Sequence, residues 1–171
     1  MTNTNHQLAK EILAYVEDQT QTNMFSGVVL VANRDGIVAE VAVGLADKEK
    51  QIVNTIGTKF NLGSCNKMFT AIAIAQLVEK GLLKFDGKVG EYLPDFSNID
   101  VKTNVTLHHL LTHTSGMGHF LRDKARFWQV RKSLKSINDF VDLFKDESLE
   151  FRPGEKYSYS ANGYELLGAV I

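Results

Sequence analysis

The spacing of apolar positions changes along this chain and marks out its elements. Between Gln7 and Glu17, Leu8, Ile12, Leu13 and Val16 recur at the spacing of one helix face, with Lys10, Glu11 and Asp18 turned the other way. This pattern predicts an amphipathic helix that needs a surface to lie on. Two short apolar runs follow, Gly27-Val28-Val29-Leu30-Val31-Ala32 and Ile37 to Val43, joined by Asn33-Arg34-Asp35-Gly36. Turn residues between two apolar, β-branched runs predict an antiparallel hairpin. Its first strand is apolar on both sides and is expected to be covered on both faces. Lys48 to Gln51 reads as a polar turn, and Thr58-Lys59-Phe60 as a short strand.

From Met68 to Val78 only Thr70 and Gln76 are polar, so this stretch predicts a helix that is apolar nearly all round and lies inside the protein. It is expected to stop near Lys80 with Gly81 as its left-handed C′ residue. Pro94 excludes a helix running through Tyr92-Leu93-Pro94. Thr106 is placed to cap a short helix with Leu107, Leu110 and Leu111 as its stripe, ending in Ser115-Gly116-Met117-Gly118. Residues 119–135 are basic and aromatic, among them Phe120, Arg122, Arg126, Phe127 and Trp128, and read as a lid or surface helix. Ser136 to Phe144 reads as a capped helix with Phe140, Val141 and Phe144 inward. After the Pro153-Gly154 turn, a last helix starts at Asn162 with Leu166, Leu167 and Val170 on one side. The expected class is α+β, with a helix and antiparallel strands over residues 1–62 and a helical region over 63–171.

Composition narrows the partners. The 171 residues are 44% hydrophobic and 23% charged, enough for one substantial core. A formal net charge of -1 provides no field to attract nucleic acid or an anionic membrane. No apolar run is long enough to span a bilayer, and the first residues lack the basic and apolar regions of a secretory signal, so the expected location is cytoplasmic. The single cysteine, Cys65, excludes an intrachain disulfide.

The candidate chemistry sits where the apolar helix begins. Ser64 and Lys67 are three residues apart, so both fall on one face about a turn from each other. A serine hydroxyl becomes a nucleophile when a neighbour takes its proton, and a lysine can do so when burial or another cation lowers its pKa. The helix N-terminus would favour an oxyanion at the same place. Alone, Ser-x-x-Lys reads more readily as a helix cap beside a solvated lysine. Cys65 is expected to be a small filler. His109 and His113 stand at i, i+4 without a third ligand or nearby Glu, which points to a structural role and no metal.

Three stretches taken together carry more weight: Phe60-x-x-Gly63-Ser64-x-x-Lys67-x-Phe69-Thr70; Thr106-Leu107-x-His109-Leu110-Leu111-Thr112-His113-Thr114-Ser115-Gly116; and Pro153-Gly154-x-x-Tyr157-x-Tyr159-Ser160 with Gly163-Tyr164-x-Leu166-Leu167-Gly168. In this order and at these spacings the chain, from about Gly27 to its last residue, resembles the serine β-lactamase and penicillin-binding-protein superfamily, in the branch of class C β-lactamases, DD-carboxypeptidases and related esterases. The resemblance implies a sheet with flanking helices beside an all-helical region and an active-site crevice between them. It implies Ser64 as the acylated nucleophile, Lys67 as its proton-accepting neighbour and Tyr159 as a partner in proton transfer. It further implies an amide, lactam or ester substrate and neither metal nor organic cofactor.

Two departures accompany it. The family's Tyr-Ser-Asn is here Tyr159-Ser160-Ala161, with Asn162 one place late. Asn162 is the candidate substrate-binding amide, although one residue of helix turns a side chain by about 100°. The family's later Lys-Thr-Gly or His-x-Gly strand is missing, which implies an N-terminal half whose sheet is completed by a C-terminal half or a second copy. The reading is an acyl-serine hydrolase. The alternative is a non-catalytic binding or scaffold domain of the same fold, or an inactive fragment of the hydrolase.

Overall fold

In the computed structural model, which describes residues 3–171, the first amphipathic pattern folds as helix α1 (Asn3–Gln21), longer at both ends than its apolar stripe. It packs on the hairpin β1 (Gly27–Asn33) and β2 (Gly36–Val43), which is antiparallel from Gly27 opposite Val43 to Asn33 opposite Gly36. Val16 of the helix and Val38 and Ala39 of β2 form the buried seam. The turn is closed by Asn33, whose Oδ1 accepts the Asp35 N–H at 2.8 Å. Cover on both faces of β1 is not found. Leu30 is 58% exposed, because this part of the chain supplies one helix and so one covered face. A second hairpin, β3 (Leu45–Asp47) and β4 (Ile52–Val53), flanks the Lys48–Gln51 turn. The expected strand at Thr58-Lys59-Phe60 is irregular backbone; Thr58 folds back on Thr55 through two hydrogen bonds of 2.9 Å instead of pairing in a sheet.

This N-terminal unit ends at Asn61, and Leu62–Ile171 forms a second, helical unit. A 3₁₀ turn (Gly63–Asn66) leads into α2 (Lys67–Glu79), followed by α3 (Val89–Tyr92), α4 (Ile99–Asn104), α5 (Leu107–Leu111), α6 (Lys124–Val130), α7 (Ile137–Val141) and α8 (Ala161–Val170). The core gathers Ile74, Val89, Val101, Val105, Leu107, Leu110, Phe144, Leu166 and Leu167, with α8 packed against α2, α5 and α7. The capped helix expected to reach Phe144 stops at Val141, yet Phe144 still reaches the core from the following turn. No helix among the described residues is long and apolar enough to cross a membrane.

Helix α2 departs most from its pattern. Only Ile74 is buried, while Met68, Phe69 and Ile72 are each more than half exposed. A stripe that runs all round a helix states no preferred direction, and here α8 meets one side of it. Its C-terminus is as expected: Gly81 takes φ 71°, with its N–H on Val78 O at 2.9 Å and the Leu82 N–H on Leu77 O at 3.0 Å.

Helix α5 ends in the same double bond, with the His113 N–H on Leu110 O at 3.3 Å and the Thr114 N–H on His109 O at 2.9 Å, but the left-handed residue is His113, at φ 58°. Beyond it the chain runs beside residues 150–158: the Ser158 N–H reaches His113 O, Gly154 N–H reaches Thr114 O and Glu150 N–H reaches Gly116 O, at 2.8–2.9 Å. Gly116 allows this approach. It sits at φ 78°, and a Cβ there would fall 2.2 Å from Phe151 O. Gly116→Ala is therefore expected to destabilise this unit by about 2–4 kcal/mol, combining backbone strain with overpacking, and thermal denaturation checks it.

Candidate active site

Ser64 lies inside the 3₁₀ turn, and Lys67 is the first residue of α2. Residues three apart eclipse in 3₁₀ geometry, so this turn stacks Lys67 over Ser64 more directly than an α-turn would. The third member arrives from far along the chain: the Tyr159 hydroxyl and Ser64 Oγ share a hydrogen bond of 2.6 Å across 95 positions. Lys67 stands beside the same phenol, its Nζ 5.2 Å from the centre of the Tyr159 ring and 5.4 Å from that of Tyr164. The apolar helix was expected to bury the lysine; two tyrosine rings wall it instead.

The charges around Lys67 respond to it. Burial pushes the Tyr159 phenol up, but Lys67 and the hydrogen bond to Ser64 outweigh burial and hold it below the usual tyrosine value. His113 is held low first by burial and then by Lys67, and so is His119, with Arg122 adding to the effect. Glu165 is pushed up by burial against the pull of Lys67. The phenol oxygen is thus favoured as an anion within reach of a serine proton, an arrangement that can activate a nucleophile.

Of the four residues singled out in sequence, the structure brings Ser64, Lys67 and Tyr159 together and places Asn162 elsewhere. Ser160 caps α8 by accepting the Gly163 N–H at 3.1 Å, which sets Asn162 in the first turn and turns it inward. Its side chain is buried, with Oδ1 accepting the Phe120 N–H at 2.7 Å and Nδ2 donating to Glu147 Oε2 at 3.3 Å. It holds the 119–122 turn and does not face Ser64. Asn162→Ala is expected to cost about 1–3 kcal/mol through the unpaired Phe120 N–H, read as a lower Tm.

Cys65 is exposed, since the 3₁₀ turn points it away from the core. His109 completes a capping box with Thr106, its Nδ1 accepting the Thr106 N–H and its own N–H reaching Thr106 Oγ1, both at 3.2 Å. His113, His119, Tyr164 and Glu165 also belong to the neighbourhood of Lys67. The first and third of these lie within the motif stretches, but spacing alone gives no sign that they meet.

A helix on an antiparallel hairpin, a helical unit and a Ser-x-x-Lys turn facing a tyrosine define the β-lactamase/transpeptidase-like class of fold. The penicillin binding protein of Bacillus halodurans superposes with a TM-score of 0.79 at 34% identity, over 91% of this chain and 47% of its own. The family model described as Beta-lactamase matches residues 7–171, and the chain belongs to that family. Penicillin-binding protein 4* of Bacillus subtilis is 33% identical over 164 residues, covering 95% of this chain and 35% of its own length. Esterase EstB of Burkholderia gladioli is 34% identical over 162 residues, covering 88% and 41%. The chain spans less than half the length of each of these relatives.

Proposed function

We propose that this chain carries the nucleophile of an acyl-serine hydrolase. The observation that carries the reading is the 2.6 Å hydrogen bond between Ser64 Oγ and a Tyr159 phenol whose ionised form Lys67 favours. Ser64 Oγ attacks the carbonyl carbon of an ester, lactam or amide while its proton passes to the Tyr159 oxygen. The same proton goes to the departing oxygen or nitrogen, leaving an acyl group on Ser64. Water then attacks this ester, gives its proton to Tyr159, and releases the acid as Ser64 Oγ recovers the proton. Lys67 balances the phenol's charge throughout from beside the ring. Each step conserves protons without a metal or an organic cofactor.

The test is intact mass of the protein after incubation with p-nitrophenyl acetate and, separately, a fluorescent penicillin, followed by peptide mapping. The expected result is one acyl group, on Ser64. A label on another residue, or none with either probe, overturns the reading. One observation favours the second reading, a non-catalytic binding domain: no amide reaches Ser64 from the segment after Tyr159, because Ala161 carries none and Asn162 is committed to Phe120 and Glu147. Binding of the penicillin without a covalent adduct would support it.

A further inference from the structure

We infer that His113 is a positioning residue that holds Tyr159 on Ser64, an inference that rests on the acyl-transfer reading of that pair. The three residues centred on Tyr159 are gripped by this one histidine. Its backbone oxygen accepts the Ser158 N–H at 2.9 Å, its Nδ1 accepts the Ser160 N–H at 3.2 Å, and its ring lies 4.6 Å from the Tyr159 ring. The rings of Tyr164, at 5.1 Å, and Tyr157, at 5.9 Å, also lie against the imidazole, so it sits among three tyrosines.

The backbone shows that the side chain is there for a reason besides ending α5. His113 occupies the C′ position at φ 58°, a left-handed conformation that glycine adopts freely and a side chain resists. Glycine would end the helix equally well, and its carbonyl would still accept the Ser158 N–H. What glycine would lose is the imidazole, and with it the acceptor for Ser160 and the wall behind Tyr159. Strain retained at one residue beside a reacting group is where a positioning role is to be sought.

The grip is also aimed. Ser160 is buried and anchored by its own hydroxyl, which donates to Gly118 O at 2.6 Å while capping α8. Tyr159 is therefore suspended between a fixed Ser160 and a Ser158 bonded to His113. Its remaining freedom is rotation of the side chain, and the imidazole of His113, with the His119 ring at 5.7 Å, limits that rotation. For Nδ1 to accept an N–H the ring must be neutral there, in keeping with its lowered pKa from burial and from Lys67.

The test compares His113→Gly and His113→Asn in the whole protein. Glycine suits the backbone but strips the side chain; asparagine tolerates the left-handed region and offers Oδ1 where Nδ1 stood. Four quantities are read: kcat and KM for p-nitrophenyl acetate, Tm, and titration of the Tyr159 phenol by ¹³Cζ tyrosine NMR, its signal assigned as the one missing in Tyr159→Phe. His113→Gly is expected to lower Tm, relief of the left-handed strain offsetting only part of the lost packing and the unpaired Ser160 N–H, and to keep its KM while kcat falls about 10–100-fold, the scale of a misplaced reacting group. Its Tyr159 should titrate at higher pH than in wild type, having drifted from Lys67, and His113→Asn should recover most of both losses. Unchanged kcat in His113→Gly overturns the inference, as does a slower enzyme whose Tyr159 titration has not moved. If the wild type is not acylated at all, the hydrolase reading fails by itself. The tyrosine titration in the two variants then still decides whether His113 holds Tyr159.

Discussion

Lys67→Met is expected to slow acylation of Ser64 by p-nitrophenyl acetate about 10²–10⁴-fold, the usual worth of a positioned proton-transfer partner. Methionine keeps an unbranched side chain, one atom shorter, against the two tyrosine rings, so the fold and the Ser64–Tyr159 hydrogen bond should survive. What disappears is the cation. The influences that lower the Tyr159 phenol come from Lys67 and from the hydrogen bond to Ser64. With Lys67 gone, burial is opposed by Ser64 alone, and the phenol is expected to titrate higher than in wild type. The basic limb of kcat/KM should move up with it, in the same direction as the phenol's NMR titration. A variant that loses rate while both stay in place would show that Lys67 acts on something other than Tyr159. Tm should change little, since Lys67 is half-exposed and no ion pair of the described residues includes it.

Helix starts and stops were legible because their signals are local. Thr106 and Ser136 cap the helices they precede, and Gly81 ends α2, each decided within one turn of chain. The Ser64–Lys67 pair was legible for the same reason. Tyr159 was not reachable by spacing, since 95 positions separate it from Ser64; the resemblance supplied it and the fold supplied the distance. Where the sequence misled, a pattern lacked a direction. A helix apolar on every side does not say which side is met, so α2 reads as interior although Met68, Phe69 and Ile72 are exposed. Asn162 misled differently. Its type suited a substrate amide, but the cap at Ser160 fixes the phase of α8 and sends that side chain to Phe120 and Glu147. His113 was read as structural from its place near a helix end. The structure keeps that part and adds contacts to Ser158, Tyr159 and Ser160, more than forty positions away, which no periodicity could reveal.

Tyr159→Phe separates what the ring does from what the oxygen does. Phenylalanine preserves the tilted ring contact with His113 and the face presented to Lys67, so the variant should fold and hold its neighbours in place. It removes the only hydroxyl hydrogen-bonded to Ser64 among the described residues, and kcat/KM is expected to fall about 10²–10⁴-fold. The pH profile makes the assignment specific. On the proposed reading the active form in wild type is the phenolate, so the rate is expected to rise with pH through the Tyr159 pKa and level above it. Since Lys67 and Ser64 together overcome burial, that rise is expected below the ordinary tyrosine value near 10. In Tyr159→Phe the rise attributable to this group should vanish, leaving a low rate without that limb. If the limb persists unshifted, the serine proton goes to another base, and the 2.6 Å contact is a support for Ser64 rather than its activator.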